Sequence, residues 1–205
     1  MPAVYLGPSV CLSNRQIRKM LTLAKACEND VFYDLGCGAG QLCIIAVKEF
    51  SVRQAVGIEA HRGRVKKARE NVRLQGLQKR ISIRHGLFED LNFADATIVY
   101  NGLIEDEYTM EKYEKTLQKG CRLVTLACPP VSLLPEREDY PFYLMNFPFT
   151  KAKTADEWAS GVLLKQAAFE ELVLELKKDP DYRSYIRLLR KLARERFKSR
   201  ESQHS

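Results

Sequence analysis

The chain has 205 residues, of which 45% are hydrophobic and 29% charged, with a formal net charge of +7. These values are ordinary for a soluble globular chain and predict one domain, with room for an appendage. No apolar run approaches the ~20 residues that span a bilayer, so a membrane span is excluded from the expectation.

From the N-terminus, residues 13–27 read as a helix. Ser13 and Gln16 make a capping box, and Ile17, Met20, Leu21 and Ala24 follow the spacing of a buried stripe. Residues 31–35 form an apolar strand ending on Asp34-Leu35. Gly36, Gly38 and Gly40 then alternate before a helix over 40–49. A second strand, 54–59, ends on Glu59, and a charged helix over 61–75 stops at Gly76. Strands are predicted at 80–85 and 96–100, a short helix at 108–118, and a fifth strand at 121–127 halted by Pro129-Pro130. Residues 131–134 and 140–149 are predicted to pair as an edge hairpin around the charged break Glu136–Asp139. Pro141 and Pro148 belong at the edge or at strand ends. Thr154 and Glu157 open a further helix, and Pro180 separates it from a last one with Tyr182, Tyr185, Ile186, Leu189 and Leu192 on one face. Alternating strands and helices mean a parallel sheet covered on both faces.

The turn at Gly36–Gly40 brings backbone close to a ligand, because no Cβ intervenes. It is G-x-G-x-G, not the dinucleotide G-x-G-x-x-G, and it lacks the G-K-[ST] of a phosphate loop. Asp34 sits badly beside a pyrophosphate and well beside an ammonium. Glu59, nineteen residues after Gly40, can accept both hydroxyls of a ribose. The site therefore calls for a ribose without a pyrophosphate.

Asp34-Leu35-Gly36-Cys37-Gly38-Ala39-Gly40 resembles motif I of the class I S-adenosylmethionine-dependent methyltransferases, and Glu59 matches that family's ribose acid. The resemblance implies a Rossmann-like, doubly wound, seven-stranded, mostly parallel sheet with an antiparallel edge hairpin. It also implies S-adenosyl-L-methionine as cofactor, held by Asp34, Leu35, Gly36, Gly38, Gly40, Glu59 and Ala60. Tyr5, before the first helix, would fold over the cofactor's methionine end. Phe88 either stacks on adenine or is core, and Glu89 or Asp90 accepts from the adenine amino group. Substrate chemistry in the family follows the fourth strand. Tyr100 and Asn101 are thus the catalytic candidates, Asn101 either bonding the acceptor or capping the next turn. Glu105, Asp106 and Glu107 would attract a cationic lysine or are solvated loop acids.

Residues 4–149 are similar to a narrower group, the archaeal-type protein lysine methyltransferases. They depart from it at Ala39-Gly40-Gln41, at Cys11-Leu12-Ser13 and after the fourth strand. The [DN]-P-P-[YFW] motif of base-amine methylation is absent, since Gly102-Leu103 follows Asn101, and Cys128 lacks the pattern of a cytosine-C5 nucleophile. The expectation is methyl transfer to protein lysines. The alternatives are an RNA methyltransferase and a non-catalytic cofactor-binding scaffold.

Residues 1–150 are expected to be the catalytic domain and 151–205 a helical extension. Residues 181–205 hold eight Lys/Arg and three acids, +5 of the total, which leaves +2 for the rest. The basic helix at 181–200 either is solvated or binds nucleic acid, and the apolar faces of the extension pack on the domain or on a second copy. Six cysteines without a C-x-x-C pair and three scattered histidines predict buried free thiols and no dedicated metal site. With no signal-peptide pattern at Met1–Tyr5, the expected location is cytoplasmic.

Overall fold

The computed structural model describes residues 12–87, 92–102, 107–126, 129–130 and 133–153. Ser13 caps the first helix, α1 (Asn14–Leu23). Its hydroxyl accepts the Gln16 N–H at 3.3 Å, and its own N–H donates to Gln16 Oε1 at 2.9 Å, so two otherwise orphaned donors are satisfied. Ile17, Met20, Leu21 and Ala24 are fully buried, as the spacing predicts. The helix ends before residue 27, because Lys25 takes a φ of 50° and the Ala26 N–H turns back to the Leu21 carbonyl.

Then follow β1 (Val31–Leu35), α2 (Gln41–Glu49), β2 (Gln54–Glu59), α3 (Arg62–Leu74), β3 (Ile81–His85), β4 (Ile98–Asn101), α4 (Glu107–Thr116), β5 (Arg122–Leu126), β6 (Arg137–Asp139) and β7 (Phe142–Asn146). They form one seven-stranded sheet in the order β3-β2-β1-β4-β5-β7-β6. The first five strands in that order are parallel, and β7 is antiparallel to both β5 and β6. Strand order reverses between β1 and β4, and at such a switch point the carboxyl ends of the strands open a crevice.

Side-chain alternation divides the core. Phe32, Ala55, Ile98 and Tyr100 face α1, α2 and α3. Tyr33, Leu35, Ile58 and Val99 face Phe93 and, on α4, Tyr113. This is the Rossmann-like, doubly wound arrangement, helices on both sides.

The edge hairpin is present, but its first arm is not 131–134. The charged break itself is the strand: Arg137, Glu138 and Asp139 are all exposed and pair with β7. An outermost strand has no face to bury, and its charges discourage pairing with another chain, so alternation cannot reveal it. Leu133 instead makes an isolated antiparallel bridge to Lys151. Pro141 lies in the hairpin turn and Pro148 follows β7, both at strand ends. Lys19 of α1 pairs with Asp139 at 2.9 Å and also donates to the Tyr140 carbonyl, which ties the hairpin to the helical layer.

β4 starts two residues later than predicted, because Thr97 is a clasp. Its hydroxyl donates to Asp30 Oδ1 at 2.7 Å and accepts the Val31 N–H at 2.9 Å. Asp30 also accepts the Cys27 N–H at 2.8 Å and pairs with Arg122, whose guanidinium donates to the Ala24 carbonyl at 2.6 Å. This network closes the amino ends of β1 and β5.

Cys37, Cys43 and Cys121 are buried free thiols, as expected, whereas Cys27 is exposed in the turn between α1 and β1. Cys11, Cys128 and everything from residue 154 onward lie outside the described residues, including the two predicted C-terminal helices. Among the described residues no helix is long and apolar enough to cross a membrane.

Candidate functional site at the carboxyl ends of β1, β2 and β4

The β1–α2 turn is built on backbone that L side chains avoid: Gly36, Gly38 and Gly40 have φ of 82°, 54° and 80°. Its amides are used in order. Gly36 and Cys37 both donate to the Ile58 carbonyl at 2.9 Å, and Gly38 donates to Glu59 Oε2 at 3.0 Å. Asn71 of α3 holds the Ala39 carbonyl at 2.9 Å. The turn is thereby fastened to the end of β2.

Glu59 is buried and works from both oxygens. Oε1 accepts the His61 N–H at 2.9 Å and lies 3.7 Å from the Arg64 guanidinium. A carboxylate has about four acceptor positions, so capacity remains for hydroxyl donors.

Asp34 lies on the same face of the sheet, beside Gly57 on one flank and Tyr100 on the other. It is buried, and its Oδ2 has no hydrogen-bond partner. Burial first, and the Glu59 charge second, push its carboxyl up to about 7. A buried acceptor without a donor is uncommon in a native fold and points to a donor from outside the chain.

Gly57 explains how the turn packs. A Cβ there would approach Cys37 Sγ to 2.7 Å and Ile83 Cδ1 to 2.8 Å. The missing side chain leaves the space that Cys37 fills beneath the turn. Burial, reinforced by Asp34 and Glu59, raises the Cys37 thiol far out of its ordinary range, so it stays protonated. Sequence reasoning missed Gly57, although an isolated glycine within a strand is the usual mark of a close approach.

Tyr100 stands next to Asp34, its ring edge-on to Phe142 at 6.4 Å between centroids. A Cβ on Gly102 would come within 2.7 Å of the Tyr100 hydroxyl, so the glycine after β4 gives this phenol its place. Asn101 does not join it. Its side chain is on the other face of the sheet and donates to the Tyr113 hydroxyl at 3.0 Å.

Of the remaining residues expected here, Leu35 has its side chain in the second core, so only its backbone faces the crevice. Ala60 places its carbonyl 3.1 Å from His85 Nε2. Tyr5, Phe88, Glu89, Asp90, Glu105 and Asp106 lie outside the described residues. No group of His, Cys, Asp and Glu able to hold a metal occurs among the described residues. The donor set present, one unpartnered buried carboxylate and one with spare acceptor capacity across a glycine turn, fits a ligand bearing an ammonium and vicinal hydroxyls.

Comparison with known proteins agrees with this chemistry. The family model described as a methyltransferase domain matches residues 27–171. A protein-lysine N-methyltransferase of Saccharolobus islandicus (strain REY15A) is 38% identical over 120 residues, 58% of this chain and 74% of that protein. An uncharacterized RNA methyltransferase of Protochlamydia amoebophila (strain UWE25) is 35% identical over 85 residues, 42% of this chain but 19% of that protein. The crystal structure of an RNA methyltransferase from Salinibacter ruber, in complex with S-adenosyl-L-homocysteine, superposes with a TM-score of 0.66 at 27% identity. That match covers 72% of this chain and 99% of the Salinibacter chain.

Proposed function

The chain belongs to the methyltransferase-domain family as a class I enzyme that uses S-adenosyl-L-methionine, and we propose that its methyl acceptor is the lysine side chain of proteins. The observation behind this acceptor is the 38% identity to a protein-lysine N-methyltransferase, over 74% of that protein's length.

When bound, the cofactor supplies an activated methyl group together with its own leaving group, so the chain's share is to position and to desolvate. We assign Asp34 to the cofactor ammonium, because it stands near the carboxyl end of β1 and its Oδ2 is buried without a partner. Glu59 is assigned to the ribose hydroxyls, and Gly36, Gly38, Gly40, Leu35 and Ala60 to backbone contacts around them. Tyr5, Phe88 and Glu89 keep the cofactor roles that the family resemblance implies. Tyr100 is assigned to the acceptor side, at the carboxyl end of β4 beside Asp34. An amine desolvated there has a lowered pKa and arrives neutral. Asn101 acts one step back, holding Tyr113 and through it α4. We take 1–150 as the catalytic domain and 151–205 as a helical extension.

A second reading, RNA methylation, has the likeness to the Salinibacter and Protochlamydia proteins in its favour. The two separate in one assay: transfer of radiolabelled methyl into a cell lysate divided between protease and ribonuclease. Lysine methylation predicts label lost to protease and recovered as methyl-lysine. Label lost to ribonuclease would replace the lysine reading with the RNA one. Calorimetric cofactor binding with no label in either pool would mean a scaffold subunit.

A further inference from the structure

The +2 left for the body of the chain conceals a segregation. Residues 51–87 hold ten Lys/Arg and two acids, a net of +8. With +5 in residues 181–205, the remainder of the chain must be −6. Six of these cations, Arg62, Arg64, Lys66, Lys67, Arg69 and Arg73, lie on α3, which packs beside β3, the edge strand of the sheet.

There α3 and β3 border a groove of about 600 Å³. Its lining is Arg62, Val65, Lys66, Arg69, Glu70 and Arg73 of α3 with His85 of β3. The four cations occupy positions i, i+4, i+7 and i+11 of α3, a row about 16 Å long. Arg73 pairs with Glu70 at 2.7 Å. Arg62, Lys66 and Arg69 pair with no carboxylate among the described residues. Arg69 is nevertheless fixed, since its guanidinium donates twice to the Ile83 carbonyl, at 3.1 and 2.9 Å. Like charges at i, i+4 repel, and Arg62–Lys66 and Arg69–Arg73 are two such pairs, the second relieved in part by the Arg73–Glu70 pair. A solvated face has no use for that repulsion, whereas a polyanion removes it. Three of the four are arginines, whose fork suits phosphate oxygens. Among the described residues lining the groove Val65 is the one apolar side chain, and it is itself buried, too little to anchor a folded protein partner. His85 of the groove lies 3.1 Å from the carbonyl of Ala60, the residue after Glu59.

We propose that the α3–β3 groove docks the phosphodiester backbone of RNA, independently of whether lysine or RNA receives the methyl group. The row, and not the basic residues of 181–205 alone, then sets the enzyme's affinity for nucleic acid.

The test is fluorescence anisotropy of a labelled 20-nucleotide RNA with the full chain, between 50 and 200 mM KCl. R62E/K66E should raise the Kd at least tenfold at 100 mM. It should also flatten the log–log salt slope by about 1.4, two phosphate contacts at about 0.7 each. R62K/K66R should bind like the wild type. Cofactor affinity, read by calorimetry, should not change, which reports an intact fold. If reversal impairs cofactor binding, R62Q/K66Q replaces it with the same readings. Absence of wild-type binding at 50 mM, or an unchanged affinity and slope in the charge variant, overturns the proposal. So does polyglutamate of equal charge displacing the RNA at equal or lower concentration, which would make the groove a site for an acidic protein.

Discussion

Asp34 couples the candidate site to pH. Its unfolded-state pKa is near 4 and its folded one about 7, so between these values the free folded chain holds a proton that the unfolded chain has lost. The stability this gives is complete below pH 4 and is lost as pH rises through 7. Removing the ionisable group should therefore stabilise the cofactor-free protein at pH 8, by on the order of a few kcal/mol. We expect Asp34→Asn to raise the urea midpoint at pH 8 and to leave it nearly unchanged at pH 4. Cofactor binding should respond in the opposite sense. Pairing with an ammonium needs the ionised carboxylate, so wild-type affinity should fall by up to tenfold from pH 7 to pH 6. The Asp34→Asn variant should bind weakly, with little pH dependence. Calorimetry over pH 5.5–8 measures both. Asp34 was legible as a strand-end acid followed by glycines, but its missing partner was not, because that depends on every neighbour at once. Asn101 is the converse case. Its sequence position allowed a bond to the acceptor or a cap on the next turn, whereas strand alternation turns its amide to Tyr113 on the other face.

The glycine turn and β2 behave as one element. Glu59 closes the turn by accepting the Gly38 N–H and opens α3 by accepting the His61 N–H. Truncation leaves both donors without these partners, at about 1–3 kcal/mol for each that stays buried. Glu59→Ala should lose more than tenfold in cofactor affinity and lower the Tm by several degrees while remaining folded; calorimetry and circular dichroism measure the two. Glu59→Gln, which keeps one acceptor, should recover much of the Tm but little of the affinity. Wild-type affinity in the alanine variant would remove Glu59 from the site. At this scale the sequence was informative: the capping box at Ser13 and the turn glycines stood where the pattern put them, and the five parallel strands did so to within two residues. β6 escaped because an exposed edge strand has no apolar alternation to display.

Across the molecule the two ends of the sheet do different work. At the amino ends, Asp30, Thr97 and Arg122 close the fold, and the candidate site lies at the carboxyl ends, about 13 Å along β1. Asp30→Ala strands the buried side of Arg122 and the Cys27 N–H, so we expect a loss of about 2–4 kcal/mol in urea unfolding. Cofactor affinity should stay within twofold, since nothing in that network reaches the crevice. A large loss of affinity at unchanged stability would contradict this separation. Charge is also divided at this scale. A body that sums to +2 is in fact a strongly basic edge and an acidic remainder.

Local pattern along the chain was enough for the class of fold and the cofactor chemistry. Strand period, helix caps and the left-handed glycine turn are set by neighbouring residues, and Asp34 and Glu59 fall at strand ends that the pattern locates. Which side chains meet was settled in three dimensions. Folding put Tyr100 beside Asp34, sent Asn101 to the other face, made Gly57 the space for Cys37, and gathered the arginines of α3 against β3. These juxtapositions follow from strand order and register, which act through space between residues distant in the chain, so no local pattern contains them.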